Sequence, residues 1–156
     1  MKKIKRIGLT MRVDKENDYF EIRDSLSKDW LLFIKKLGHV PVLIPNIDSF
    51  TNKDLENLKF QALILTSGGH SNIKKGGKLN KLCNARDYVE TLSFNFALKK
   101  NIPILGVCRG MQFIYKFYGG SLEKLKNKSH VNKVKKINFD QDKSRSVKCF
   151  HDFICS

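Results

Sequence analysis

At 156 residues, 41% of them hydrophobic and 29% charged, the chain has the balance of a globular domain with a sizeable core rather than a disordered one. Its longest apolar runs, VPVLIP and ALIL, fall far short of the roughly 20 residues that span a bilayer, and Arg12, Asp14 and Lys15 follow the basic N-terminus too soon for a signal peptide, so a soluble, cytoplasmic protein without a membrane partner is expected. Thirty Lys and Arg against fifteen Asp and Glu give +15, but no zinc-finger spacing or aromatic-glycine RNA signature accompanies them, so a lysine-rich solvated surface is expected rather than a specific nucleic-acid partner.

Along the chain, short apolar runs alternate with amphipathic ones. IKRIGLTM (4–11) reads as a first strand. SLSKDWLLFIKKLG (25–38) reads as a helix with Leu26, Trp30, Phe33, Ile34 and Leu37 on one face and Gly38 as its stop. HVPVLIP (39–45) is a second strand, whose prolines suggest either a sheet edge or the strand's own ends. Residues 51–58 make a short helix opened by Thr51 or Asn52, and QALILT (61–66) is a third strand running into Ser67-Gly68-Gly69. Residues 84–100 read as a helix with Tyr88, Leu92 and Phe96 at spacing four. IPILGV (102–107) is a fourth strand, and RGMQFIYKFYGG (109–120) a helix ended by paired glycines. Beyond it, VNKVKKINF and SVKCF look like strands.

This alternation argues for one α/β domain over 1–156: a mostly parallel, doubly wound sheet with helices on both faces, three layers in all. In such sheets chemistry gathers at the carboxyl ends of strands. Two strands end there in glycine-bearing turns, T-S-G-G-H (66–70) and G-V-C-R-G (106–110).

Of the cysteines Cys83, Cys108, Cys149 and Cys155, none form a C-x-x-C pair, and their spacings match no metal or disulfide framework. Free thiols and no metal are expected. Cys108 alone sits in the G-x-S-x-G nucleophile-elbow pattern, with cysteine in place of serine. A sharp strand-to-helix turn pushes such a residue outward and crowds the positions two before and two after it, hence the glycines. The first turn of the following helix sets partial positive charge beside the sulfur, which favours a nucleophilic thiolate. The backbone N–H of Arg109 would face the oxygen of a tetrahedral intermediate. The competing reading is a buried cysteine in a routine strand–helix junction.

I-P-I-L-G-V-C-R-G-M-Q-F followed by G-G-S-L (119–122) resembles class I glutamine amidotransferases, in particular their gamma-glutamyl hydrolase-like branch. Ser67-Gly68-Gly69, Arg86-Asp87-Tyr88-Val89-Glu90 and Ser129-His130-Val131 match further motifs of that branch in order. The resemblance implies a γ-glutamyl thioester on Cys108 and an oxyanion hole from the N–H groups of Gly69 and Arg109. It places Gly68, Gln112, Arg86, Glu90 and His130 near the glutamyl group or in its supporting shell, and implies no cofactor. Alternatives stay open: Arg86 and Glu90 as an i,i+4 pair on a solvated helix face, and His130 as a surface histidine in a basic tract. The opening I-G-L-T-x-R-V and L-G-H-V-P-V-L-I-P-N are also similar to the gamma-glutamyl-CDP-amidate hydrolases of capsule phosphoramidate synthesis. That likeness implies a small-molecule, nucleotide-linked γ-glutamyl substrate.

In this family the base and its orienting carboxylate form a late His-x-Glu. The histidines here are His39, His70, His130 and His151, and none begins a His-x-Glu. His151-Asp152 resembles a substrate-side segment of the family. As a triad with Cys108 it is disfavoured, because neighbours on a strand point to opposite faces. A C-terminally truncated member lacking its base is therefore expected. Three functions stay open: a γ-glutamyl amide hydrolase, a glutaminase subunit feeding ammonia to a synthetase, and a non-enzymatic remnant or polyanion-binding module.

Overall fold

The computed structural model describes residues 3–15, 18–19, 21–69, 71–79, 84–124, 134–140, 143–148 and 153–155. The chain divides into two compact units, Met1–Gly119 and Gly120–Ser156.

In the first unit the element order is β1 (Arg6–Thr10), β2 (Arg12–Lys15), β3 (Ile22–Ser25), α1 (Lys28–Lys36), β4 (Val40–Ile44), α2 (Asn52–Leu58), β5 (Ala62–Leu65), α3 (Ala85–Lys99), β6 (Ile104–Gly106) and α4 (Arg109–Phe117). The sheet runs β4-β1-β5-β6, and every pairing is parallel, with Leu9 opposite both Leu43 and Ile64, and Leu65 opposite Gly106. The strand carrying Pro41 lies at an edge, where a missing N–H breaks no central ladder.

Alternation along the strands splits the core in two. Ile7, Leu9 and Ile64 face α1 through Ile34. Ile44, Leu63 and Leu65 face the other way, onto Leu55 of α2, Val89, Phe94 and Ala97 of α3, and Phe113 of α4. Helices thus cover both faces of the parallel sheet. Two helices are fastened at their starts by reciprocal capping boxes, Thr51 with Asp54 and Asn84 with Asp87.

Two helices differ from the sequence expectation. On α1 the buried stripe centres on Ile34 between Trp30 and Leu31, while Phe33 and Leu37 are 48% and 41% exposed. Those two sit on the flank turned away from the sheet, so hydrophobicity alone drew the stripe too wide. On α3 the expected face holds, with Phe96 buried and Tyr88 and Leu92 packed partly buried against the same core, but Arg86, Asp87, Val89, Glu90, Ser93, Phe94 and Ala97 are buried as well. That helix is enclosed around most of its circumference, charged positions included.

An antiparallel hairpin that the sequence reading did not foresee follows β1, with β2 and β3 pairing Arg12 with Ser25 and Asp14 with Arg23. In the second unit, β7 (Leu122–Lys124) pairs antiparallel with β10 (Phe153–Cys155), and β8 (Val134–Asp140) pairs antiparallel with β9 (Lys143–Lys148). The strands expected in VNKVKKINF and SVKCF fall on β8 and β9.

Candidate active site

Cys108 stands between β6 and α4 with φ 52° and ψ −106°. This conformation is strained for a residue with a Cβ and costs of order 1–3 kcal/mol. The surroundings hold it there. Val107 N–H donates to Leu65 O at 3.0 Å, Gly110 N–H to Val107 O at 3.0 Å, and Gln112 N–H to Cys108 O at 3.0 Å. The two glycines are required by contact. A Cβ on Gly106 would lie 2.7 Å from the backbone of Gly110, and one on Gly110 would lie 2.1 Å from the carbonyl oxygen of Leu65. Only a chain without side chains at both positions can turn this tightly against β5. Cys108 itself is half-buried and in no disulfide, and it serves as N-cap of α4 without any side chain capping the helix. The first turn therefore begins beside the sulfur rather than beneath a Ser or Asp oxygen.

The facing loop leaves the neighbouring strand. Thr66 continues β5, and its N–H donates to Thr10 Oγ1 at 3.0 Å while its hydroxyl donates to Thr10 O at 2.7 Å. Gly68 and Gly69 then take φ values of 96° and 70°, a left-handed course that glycine adopts without steric cost. A Cβ at Gly69 would meet nothing within 4 Å, so the space in front of this residue is open.

Helix α3 supplies the scaffold for both elements. Arg86 donates from Nη1 to Gly68 O at 2.7 Å and from Nη2 to Thr66 O and Ser67 O at 3.2 Å each. One guanidinium thus holds three successive carbonyls of the glycine loop. Its Nε donates to Glu90 Oε1 at 2.9 Å. The other Glu90 oxygen takes Nη1 of Arg109, and Nη2 of Arg109 donates to Asp87 Oδ1 at 2.7 Å. Asp87 also accepts from Ser71 Oγ at 3.3 Å and Asn72 N–H at 3.2 Å. Two arginines and two carboxylates balance in charge, and all four are buried. Burial draws the Arg86 guanidinium down to about 10, against the opposing pull of Asp87 and with the help of Arg12; it remains charged at neutral pH.

Several positions named from sequence lie within this arrangement. Arg86 and Glu90 do form an i,i+4 pair, but at 4% and 0% side-chain exposure it is a buried bracket, not a solvated face. Arg109 turns its side chain inward, away from solvent, and Gln112 is buried one turn beyond Cys108. Asp87, Thr10 and Thr66 were missed as parts of the site. Asp87 was legible only as the cap partner of Asn84, since nothing local marks a carboxylate that also meets Arg109. His39 precedes β4 and accepts from Lys5 N–H at 3.4 Å, at the amino end of the sheet and away from Cys108. His70, His130, His151 and Asp152 lie outside the described residues. Among the described residues, no group of His, Cys, Asp and Glu has the arrangement of a metal site, and no helix is long and apolar enough to cross a membrane.

The Peptidase C26 family matches residues 6–152. The chain belongs to that family. A gamma-glutamyl-CDP-amidate hydrolase of Campylobacter jejuni is 31% identical over 94% of this chain and 70% of its own length. A glutamine amidotransferase-like protein of Rickettsia prowazekii is 30% identical over 80% of this chain and 47% of its own length. Among solved structures, a GMP synthase subunit protein from Thermoplasma acidophilum superposes with a TM-score of 0.58 at 18% identity, covering 99% of this chain and 68% of that one. In this Peptidase C26 chain the likeness at 18% identity speaks for the fold, a parallel α/β sheet covered by helices.

Proposed function

We propose that the chain is a cysteine hydrolase of γ-glutamyl amide bonds. The observation that carries this is Cys108 at φ 52° and ψ −106° on a glycine-flanked turn, one strand away from the Gly68-Gly69 loop. Cys108 Sγ would attack the γ-carbonyl carbon, and the carbonyl electron pair would move onto oxygen, held by the N–H groups of Gly69 and Arg109. Collapse would break the C–N bond. The amine would leave with a proton and a γ-glutamyl thioester would remain on Cys108; water would then release glutamate and restore the thiol. The resemblance assigns the proton to a His-x-Glu pair, and His39, the one described histidine, stands at the wrong end of the sheet for that work.

The 31% identity to a gamma-glutamyl-CDP-amidate hydrolase makes a nucleotide-linked γ-glutamyl phosphoramidate, an intermediate for capsule assembly, the substrate to try first. A thiol nucleophile fits the reducing cytoplasm. The test is glutamate release from that compound and from glutamine, together with trapping of an acylated Cys108 by hydroxylamine where turnover stalls. Release or trapping that disappears in Cys108→Ala supports the reading. Neither signal with any γ-glutamyl amide, or activity that persists in Cys108→Ala, overturns it.

A second reading is a glutaminase subunit that supplies ammonia to a synthetase. It is favoured by 28% identity to a glutamine-hydrolyzing GMP synthase subunit of Thermoplasma volcanium over 70% of this chain. Co-purification with a synthetase, and glutaminase activity only in the complex, would put it first.

A further inference from the structure

The hairpin after β1 is absent from the mechanism above, yet it is fastened to the same end of the sheet. Asn46, just past β4, donates its backbone N–H to Asp24 Oδ2 at 2.7 Å and its side-chain Nδ2 to Asp24 Oδ1 at 2.7 Å and to Met11 O at 3.0 Å. The hairpin is thereby tied to the outgoing ends of β1 and β4. Its first residue, Arg12, reaches the third strand end. A Cβ on Gly68 would lie 3.2 Å from Arg12 Cδ and 3.6 Å from Arg12 Cβ, so the aliphatic stem of Arg12 lies along the glycine loop.

The guanidinium is fixed from one side only. Nε donates to Asp14 Oδ2 at 2.9 Å and to Ser25 Oγ at 2.8 Å, and Ser25 Oγ in turn donates to Asp14. Among the described residues neither terminal nitrogen of Arg12 makes a hydrogen bond, and the side chain is 53% exposed. Asp14 offsets part of the charge but occupies none of the outer N–H groups. A guanidinium held through Nε presents its remaining planar donors as a fork, a geometry that suits the paired oxygens of a carboxylate or phosphate.

We infer that Arg12 is an anion receptor of the active site, placed by the hairpin beside Gly68 to take a carboxylate or phosphate of the substrate. The inference rests on the γ-glutamyl reading, which offers two such anions: the α-carboxylate of the glutamyl group and the phosphate of a nucleotide leaving group.

Binding measured without turnover separates the possibilities. Glutamate and cytidine diphosphate are titrated by calorimetry into Cys108→Ala and into Cys108→Ala carrying Arg12→Gln, with circular dichroism to verify the fold. Loss of the fork is expected to weaken one probe roughly 10- to 100-fold, as befits charge-assisted hydrogen bonds. Weakening of glutamate assigns Arg12 to the carboxylate, and weakening of cytidine diphosphate assigns it to the leaving group. Arg12→Lys keeps the stem and the charge but not the fork, and is expected to recover only part of the affinity. Equal binding of both probes with and without Arg12 overturns the inference while the γ-glutamyl reading stands. Failure of both probes to bind Cys108→Ala with Arg12 in place overturns the two together.

Discussion

Arg109 and Glu90 meet in a buried ion pair that hangs the residue after Cys108 on the helix whose Arg86 also grips the glycine loop. One carboxylate therefore stands between the two backbone donors proposed for the oxyanion hole. Neither donor is set by its own strand alone. Each is set by a guanidinium, and both guanidinia lean on Glu90.

Removing that charge should be expensive. With Glu90→Gln, Arg86 and Arg109 stay buried against a neutral amide, and breaking a buried pair from one side costs about 3–5 kcal/mol. A fall of that size in unfolding free energy, read from urea midpoints at unchanged slope, is the expected result. A loss under about 1 kcal/mol would mean that the bracket is not tight in solution.

Two glycines make a contrasting pair. Gly110→Ala drives a methyl group to 2.1 Å from Leu65 O, main chain of an interior strand, so the loss should exceed the roughly 1–3 kcal/mol typical of overpacking. Gly69→Ala finds open space and suffers only the φ of 70°, a penalty of about 1–2 kcal/mol. Thermal melts of the two variants side by side should separate them widely, and equal losses would contradict the contacts at the elbow.

Cys108 trades stability for position. Glycine there would release strain of about 1–3 kcal/mol against about 1 kcal/mol of added freedom in the unfolded chain. Cys108→Gly should therefore melt at or above the wild-type temperature while losing all glutamate release. A clear drop in melting temperature would show that the turn is relaxed.

The pH dependence of Arg86 has a definite sign. Its folded-state value, about 10, lies below that of an ordinary arginine, so between those two the unfolded chain binds more protons and this group's contribution to stability rises with pH. Below about pH 10 both states are protonated and the contribution is flat. The stability difference between wild type and Arg86→Met should accordingly not change from about pH 6 to 9. A slope in that interval would mean that the guanidinium titrates there.

The tight turn at Cys108 was legible because its requirement is local: a strand, glycine two before and two after, and a helix. The parallel sheet was legible because strands such as Ala62–Leu65 are apolar on both faces. The hairpin was not, since R-V-D-K and I-R-D-S show neither apolar alternation nor a run, and the tie from Asn46 to Asp24 spans 22 residues. The bracket was half-legible. Arg86 and Glu90 stood out by motif and spacing, but a salt bridge inside the core and one on the surface are spelled alike. Only the arrival of Arg109, 19 residues beyond Glu90, distinguishes them. On α1, Phe33 and Leu37 read as core because side-chain chemistry carries no record of which flank meets the sheet.

Helices α2 and α3 begin under full capping boxes, whereas α4 begins at Cys108 with none. An oxygen bound at the elbow would be that missing cap, supplied by the visitor instead of the chain. Amide hydrogens over residues 109–112 should then exchange more slowly when the site is occupied, while those opening α2 and α3 keep their rates. Helix α4 would be completed, at its first turn, by whatever binds there.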